Sequence, residues 1–366
     1  MRSPSQRIRP AMHRHSRSSS DAAPDAGGGA WFEAAPAAEP SPESAVGGAG
    51  SLRAEAEALT QSALEVYEQQ KSAGRLRISS DSKWLDTVLR SGTTSDRVAA
   101  MTVLVQEAPL HNAASLTSLL ALATKKGNRD ARTMACEALR DLFVQNLLPG
   151  RQLRFLREQP LSALPPLADA AARSRALRYW RFEDFLKGTY VEFLAVLERD
   201  LQDSVATFKL KAMHTAADLL TAKPEQEQLL LSLLVNKLGD ADRKVCSRAL
   251  HLLQQLVLAH GAMKQVVAQN VKASIFANVC SDRSRYYAIL FLSSLQLQRP
   301  GQDGNGGDAE LACELIEAYF ELFQLTATTA NSSSTMGVQS RIMSAVLTGV
   351  NRAFPFAKSR LDTTTV

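Results

Sequence analysis

Between residues 151 and 187 the chain gathers Arg151, Arg154, Arg157, Arg173, Arg175, Arg178, Arg181 and Lys187. They face only Glu158, Asp169, Glu183 and Asp184, with Phe155, Tyr179, Trp180 and Phe182 interleaved. Guanidinium groups neutralise phosphates, and aromatic rings stack on bases. This mixture therefore suits contact with single-stranded nucleic acid. Arg154 and Arg157 are three apart and share a face if the piece is helical. The same residues also fit a solvated basic face whose aromatics belong to the core of the next helix. The sequence leaves both readings open.

Smaller basic groups recur at predicted turns between helices: Lys125, Lys126, Arg129 and Arg132; then Arg243, Lys244 and Arg248; then Arg283 and Arg285. In a stacked helical array they would align along one rim and extend a phosphate-binding surface. Formal net charge is +5, which permits an anionic partner without requiring one.

Other chemistries lack their residues. No nucleophile elbow, zinc-protease helix, P-loop or dinucleotide fingerprint occurs, and the six histidines are scattered. His214 and His251 fall inside predicted helices, where a hydrogen-bonded, partly buried histidine is the ordinary case. Cys136, Cys246, Cys280 and Cys313 lack metal-ligand spacing and sit in apolar helical patterns, so buried free thiols are expected. The run from Asp303 to Asp308 is a poor calcium loop, because its glycine is displaced and one oxygen ligand is missing. The expectation is a non-enzymatic chain with no metal, no cofactor and no small-molecule substrate. No apolar run approaches the roughly 18 residues of a membrane span, so no membrane partner is expected.

Leu and Ala are abundant while aromatics make up 6% of the chain, which favours helices over strands. Residues 1–50 are Arg/Ser-rich, then Ala/Pro/Gly-rich, and read as a disordered tail. That tail could be a transit peptide, a nuclear-import or nucleic-acid tail, or carry no address. Residues 51–75 read as an amphipathic helix and linker, with Leu59, Ala63, Val66 and Tyr67 on one face and Gly74 as its stop. Residues 83–357 read as helix after helix, and residues 358–366 as a short tail.

Aligning Asp203, Asp240 and Asp282 brings Phe208, Val245 and Tyr287 into register. Ala212, Ala249 and Phe291 follow, then Ala216, Leu253 and Leu295. The aspartates are 37 and 42 residues apart, near the roughly 40-residue period of HEAT and armadillo repeats. Each is expected in a turn, capping the next helix. The predicted fold is all-α: a HEAT/armadillo-like α-solenoid behind a disordered N-terminal tail. Breaks are expected around Pro160, Pro165 and Pro166, across 301–308, and across Thr326–Thr335.

Five ordered segments carry a resemblance: Ser95–Asn112, Asn146–Arg154, Asn236–Asp240, Ser281–Ala288 and Ser344–Pro355, the last containing Leu347-Thr348-Gly349-Val350-Asn351-Arg352. Lys223–Glu227 adds a shorter match. Together they resemble the nucleolar-complex / CCAAT-binding-factor family. The resemblance implies a nuclear, mostly nucleolar scaffold for early large-subunit ribosomal precursors. Its implied partners are precursor rRNA and a second nucleolar-complex protein. The family name also implies a CCAAT-promoter transcription role, with promoter DNA as partner; a generic protein-binding solenoid is the third reading. Family members continue beyond the Leu347–Arg352 segment into another helical domain, so either a fragment or a short form is expected here. Asn351 and Arg352 could contact a partner or tie the last helix to its neighbour.

Overall fold

Helix-favouring composition and short polar breaks produce an all-helical chain. The computed structural model describes residues 31–33, 49–73, 82–125, 127–277, 280–299, 307–329 and 336–364. Among them are α1 (Ala49–Ser72), α2 (Ser82–Ser91), α3 (Thr94–Glu107), α4 (Ala113–Thr124), α5 (Arg129–Leu142), α6 (Ala170–Leu201) and α7 (Ala206–Ala222). Then come α8 (Glu227–Asn236), α9 (Arg243–Ala259), α10 (Lys264–Ile275), α11 (Asp282–Ser294), α12 (Ala309–Thr329) and α13 (Met336–Thr364). No strand occurs among the described residues.

The helices stack in two layers. Helices α5, α7, α9, α11 and α13 pack each against the next, while α4 lies on α6 and α8 on α10 in the opposing layer. This arrangement is consistent with an α-solenoid. Sequence-adjacent helices bridge the layers, and α1 crosses back onto α6. One hydrophobic core runs from Trp31 to Val346, and a satellite of Ala56, Leu177 and Trp180 seats α1 on α6. The predicted register holds in this core: Val245, Ala249, Leu253, Ala212, Ala216, Tyr287, Phe291 and Leu295 are all buried. Phe208 departs from it. It is half-buried, beneath the guanidinium groups of Arg129 and Arg132 at 5.0 and 5.7 Å.

The turn aspartates differ from their expected role. Helix caps fall to other residues: Asp242 accepts from Lys244 N at 2.8 Å, and Ser281 accepts from Ser284 N at 3.2 Å. The Val205 cap of α7 makes no side-chain cap bond. Asp203 and Asp240 instead close their own turns by accepting from the N–H two residues on, at 2.9 and 3.0 Å. Each also takes a cation from the neighbouring helix of its layer. Arg129 and Arg132 of α5 reach Asp203 at 3.1 and 3.3 Å, and Lys209 of α7 reaches Asp240 at 2.9 Å. Asp282 breaks the pattern: it opens α11 and pairs with Arg285 at 3.2 Å.

These ion pairs predict an acid limb to stability. The Val205 N–H, then Arg129 and Arg132, hold the Asp203 carboxyl below its ordinary 3.8. Burial pushes the Asp240 carboxyl up, but the Asp242 N–H, Lys209 and Lys237 outweigh it, so it too lies below 3.8. A carboxyl lowered on folding stabilises fully above its unfolded pKa and less as pH falls through the folded one. Asp240→Asn is expected to lose about 2 kcal/mol at neutral pH. The gap from wild type should close as pH falls below 3.8. Urea unfolding across that range checks it; a gap independent of pH would refute the ion-pair account.

Several boundaries move. Of the expected N-terminal tail, residues 1–30 and 34–48 lie outside the described residues. Trp31 contradicts the tail reading: it is 4% exposed, its indole N–H donates to the Leu147 carbonyl at 2.9 Å, and its ring meets Phe182 edge-on. That carbonyl ends the π-helical turn Phe143–Leu147 after α5. The expected tail at 358–366 is also corrected, because α13 continues to Thr364, through Pro355. The break expected from Thr326 begins later, since α12 runs to Thr329. Cys136 and Cys246 are buried free thiols as expected, but Cys280 and Cys313 are half-exposed. Gly74, Lys126 and the 301–306 loop lie outside the described residues.

Candidate nucleic-acid interface

The basic stretch begins after the π turn, where the chain leaves the helical array and runs back along α6. Its placement rests on buried acids. Glu183 of α6, 1% exposed, accepts both Arg151 Nη atoms at 2.5 and 3.2 Å, the Arg154 N–H at 2.9 Å and Gln159 Nε2 at 2.9 Å. Asp184 accepts the Leu156 N–H at 3.0 Å. Glu225, from the turn before α8, accepts the Leu153 N–H at 2.6 Å. Burial pushes the Glu225 carboxyl above its ordinary value, against that N–H and Lys187. Lys187 binds the Leu153 carbonyl at 2.7 Å and Glu158 at 3.2 Å, and sits over the Phe155 ring at 4.4 Å.

The structure brings Arg151 and the Arg154 backbone together at Glu183 and assigns several of the predicted arginines to internal pairs. Arg151 is held by Glu183. Arg173 forks onto Glu55 of α1 at 3.0 and 3.1 Å, and lowers that carboxyl through the hydrogen bond. Arg181 meets Glu57 at 3.5 Å and Asp184 at 3.7 Å. Arg154 and Arg178 are half-buried. Arg157 projects with 74% of its side chain exposed, 3.9 Å from Glu158 and 5.1 Å from the Phe155 ring centre. Arg175 is exposed. Of the interleaved aromatics, Tyr179, Trp180 and Phe182 are core residues, which leaves only half-buried Phe155 beside solvent.

Arg243, Lys244 and Arg248 lie elsewhere, on the first turns of α9, and all are exposed. The starts of α5, α7, α9 and α11 share one edge, because Arg129 and Arg132 reach the turn before α7, Lys209 the turn before α9, and Arg283 the Asp240 and Ala241 carbonyls. The α9 trio occupies the middle of that edge. On the adjoining face, burial and then Arg248 lower the His214 imidazole below its ordinary value. That histidine is therefore neutral near pH 7 and supplies no charge.

Sequence reasoning missed Glu183 and Arg53. By sequence Glu183 is one more counter-charge, and only its burial shows it to be the hub of the segment. Arg53 lies on α1, far before the basic run in sequence, and joins it through the packing of α1 on α6. No cluster of three or more His, Cys, Asp or Glu able to hold a metal occurs among the described residues. No helix among them is long and apolar enough to cross a membrane.

The segments that carry the resemblance are junctions. Asn146–Arg154 meets Lys223–Glu227 through Glu225. Asn236–Asp240 meets Ser281–Ala288, where Gly239 lies so close to Ser284 that an added Cβ would be 3.0 Å from it. Within Ser344–Pro355, Gly349 packs on Tyr319, while Asn351 and Arg352 point outward.

No protein-family profile matches the chain. Individual relatives do. CCAAT/enhancer-binding protein zeta of Homo sapiens is 33% identical over 92% of this chain and 31% of its own length. Ribosome biogenesis protein NOC1 of Chaetomium thermophilum is 32% identical over 86% of this chain and 33% of its own. Nucleolar complex protein 1 of Drosophila melanogaster is 33% identical over 81% of this chain and 24% of its own. The chain therefore spans about a third or less of the length of these relatives. A solved engineered protein aligns at a TM-score of 0.30 and 13% identity, too distant to carry an argument. Identity spread over most of this helical array makes the chain a member of the nucleolar-complex / CCAAT-binding-factor family.

Proposed function

We propose that the chain is a non-enzymatic assembly factor of the nucleus and nucleolus. It acts as a HEAT-like scaffold that holds precursor rRNA and proteins, including a second nucleolar-complex protein, during large-subunit biogenesis. The observation that carries this reading is the exposed cation group Arg243, Lys244 and Arg248 on the shared helix edge. Arg157 and Arg175 are also exposed. Arg151, Arg173 and Arg181 are engaged with Glu183, Glu55, Glu57 and Asp184, and so contribute mainly to shaping the surface. The printed names of the fungal and insect relatives, a ribosome biogenesis protein and a nucleolar complex protein, support the biological setting. Paired helices of about 40 residues with turn aspartates support the repeat type.

Binding of a large-subunit precursor fragment at several salt concentrations tests the reading. Each lost phosphate contact lowers the salt slope by about 0.7 on single strands. The triple exchange Arg243→Glu, Lys244→Glu, Arg248→Glu is therefore expected to cut the slope by about 2 and weaken binding at least ten-fold. A wild-type chain that binds no RNA would refute the scaffold. The name of the human relative motivates a CCAAT duplex as competitor. Preference for that duplex over RNA would favour the promoter reading instead.

A further inference from the structure

A cavity of about 740 Å³ lies where α1, α4 and α6 meet the turn at Phe155–Arg157. Binding sites for small ligands and single nucleotides fall in this size range. Phe185 and Gly188 of α6 and Leu120 of α4 give it apolar surface, and Arg53, Arg157 and Arg181 bring guanidinium groups to its edge.

Two observations point to an occupant from outside the chain. Gly188 lies in the interior of α6, where glycine is a poor helix former. A Cβ built on it meets nothing within 4 Å, so no packing inside the fold explains the missing side chain. Arg53 and Arg157 keep 60% and 74% of their side chains exposed beside Glu57 and Glu158, and pairs this open exchange readily for a phosphate. The Arg157 guanidinium already stacks near Phe155, the geometry in which arginine also stacks on a base.

We propose that this cavity takes one nucleotide of a single-stranded RNA, its base against Phe185 and Gly188 and its phosphates at Arg53 and Arg157. The proposal rests on the RNA-scaffold reading. The acids lining the cavity do not oppose it. Asp184 is paired with Arg181 at 3.7 Å, and Glu192 is an acceptor for a ribose 2′-hydroxyl or a base N–H. A base held in a duplex cannot enter, so the site favours single strands.

The test compares a fluorescent oligouridine with an RNA duplex of equal length, at fixed salt, on the full chain. Gly188→Leu fills the cavity from α6, and Thr117→Trp fills it from α4. Thermal unfolding confirms that each variant is folded. Each is expected to lose about ten-fold in oligouridine affinity with duplex affinity unchanged, the scale of one lost base stack. Unchanged oligouridine affinity in the folded variants would overturn the pocket and leave the scaffold reading intact. So would a duplex affinity that falls in step with the oligouridine affinity. Failure of the wild type to bind either RNA would overturn both.

Discussion

Glu183→Ala is expected to lower the stability of the chain by about 4 kcal/mol. The carboxylate is 1% exposed and receives four hydrogen bonds, from Arg151, the Arg154 N–H and Gln159. Removing it leaves the buried Gln159 amide and the half-buried Arg154 N–H unpaired, each a desolvation cost of about 1–3 kcal/mol. Arg151 suffers less, because 42% of its side chain already meets water. Arg151→Ala should therefore cost about 1–2 kcal/mol, well under the loss at Glu183. Urea unfolding with an unchanged denaturant slope would register both, and the double variant would show strong coupling. A loss below about 1 kcal/mol at Glu183 would mean that the 151–160 segment is held by something else.

The second large effect is at Gly349. Helix α13 approaches α12 there so closely that an added Cβ would lie 2.6 Å from Tyr319 Cζ and 2.9 Å from Ser293 Oγ. Tyr319 cannot swing aside freely: it is 1% exposed, its hydroxyl lies 3.4 Å from Ser293 Oγ, and burial pushes its phenol up to about 12. Gly349→Leu should cost about 3 kcal/mol through overpacking. Tyr319→Ala vacates the ring space, so the double variant should recover part of the loss seen for Gly349→Leu in the wild-type background. Additive losses would show that the helices separate rather than collide.

The physics of local sequence reached the helices and their register. Apolar spacing pointed to a helix within 51–75, where α1 runs from Ala49 to Ser72, and Val245, Ala249 and Leu253 of the clearest repeat are fully buried. It failed where a residue's role depends on a distant partner. Arg173 and Glu55 are 118 residues apart, and Arg132 and Asp203 are 71 apart. Nothing local distinguishes such an arginine from a solvated one, so the basic run read as a surface although its acids lie underneath it. The aspartates misled for a related reason. A turn Asp can cap a helix or close its own turn, and the choice is set by the cations that α5 and α7 bring to it. Phe208 looked like a core position by period, yet its ring became the platform for two arginines.

Trp31 has a consequence for how the chain is made. During synthesis it leaves the ribosome long before Leu147 and Phe182, the groups that receive it. The indole must wait for more than a hundred residues to emerge and for α6 to fold before it can dock. Its closure is then a late, long-loop event that seals the junction of α5 and α6. A shortened chain begun at α1 would drop only residues that look dispensable by composition. It would nonetheless leave an open socket at Phe182 and an unanswered carbonyl at Leu147.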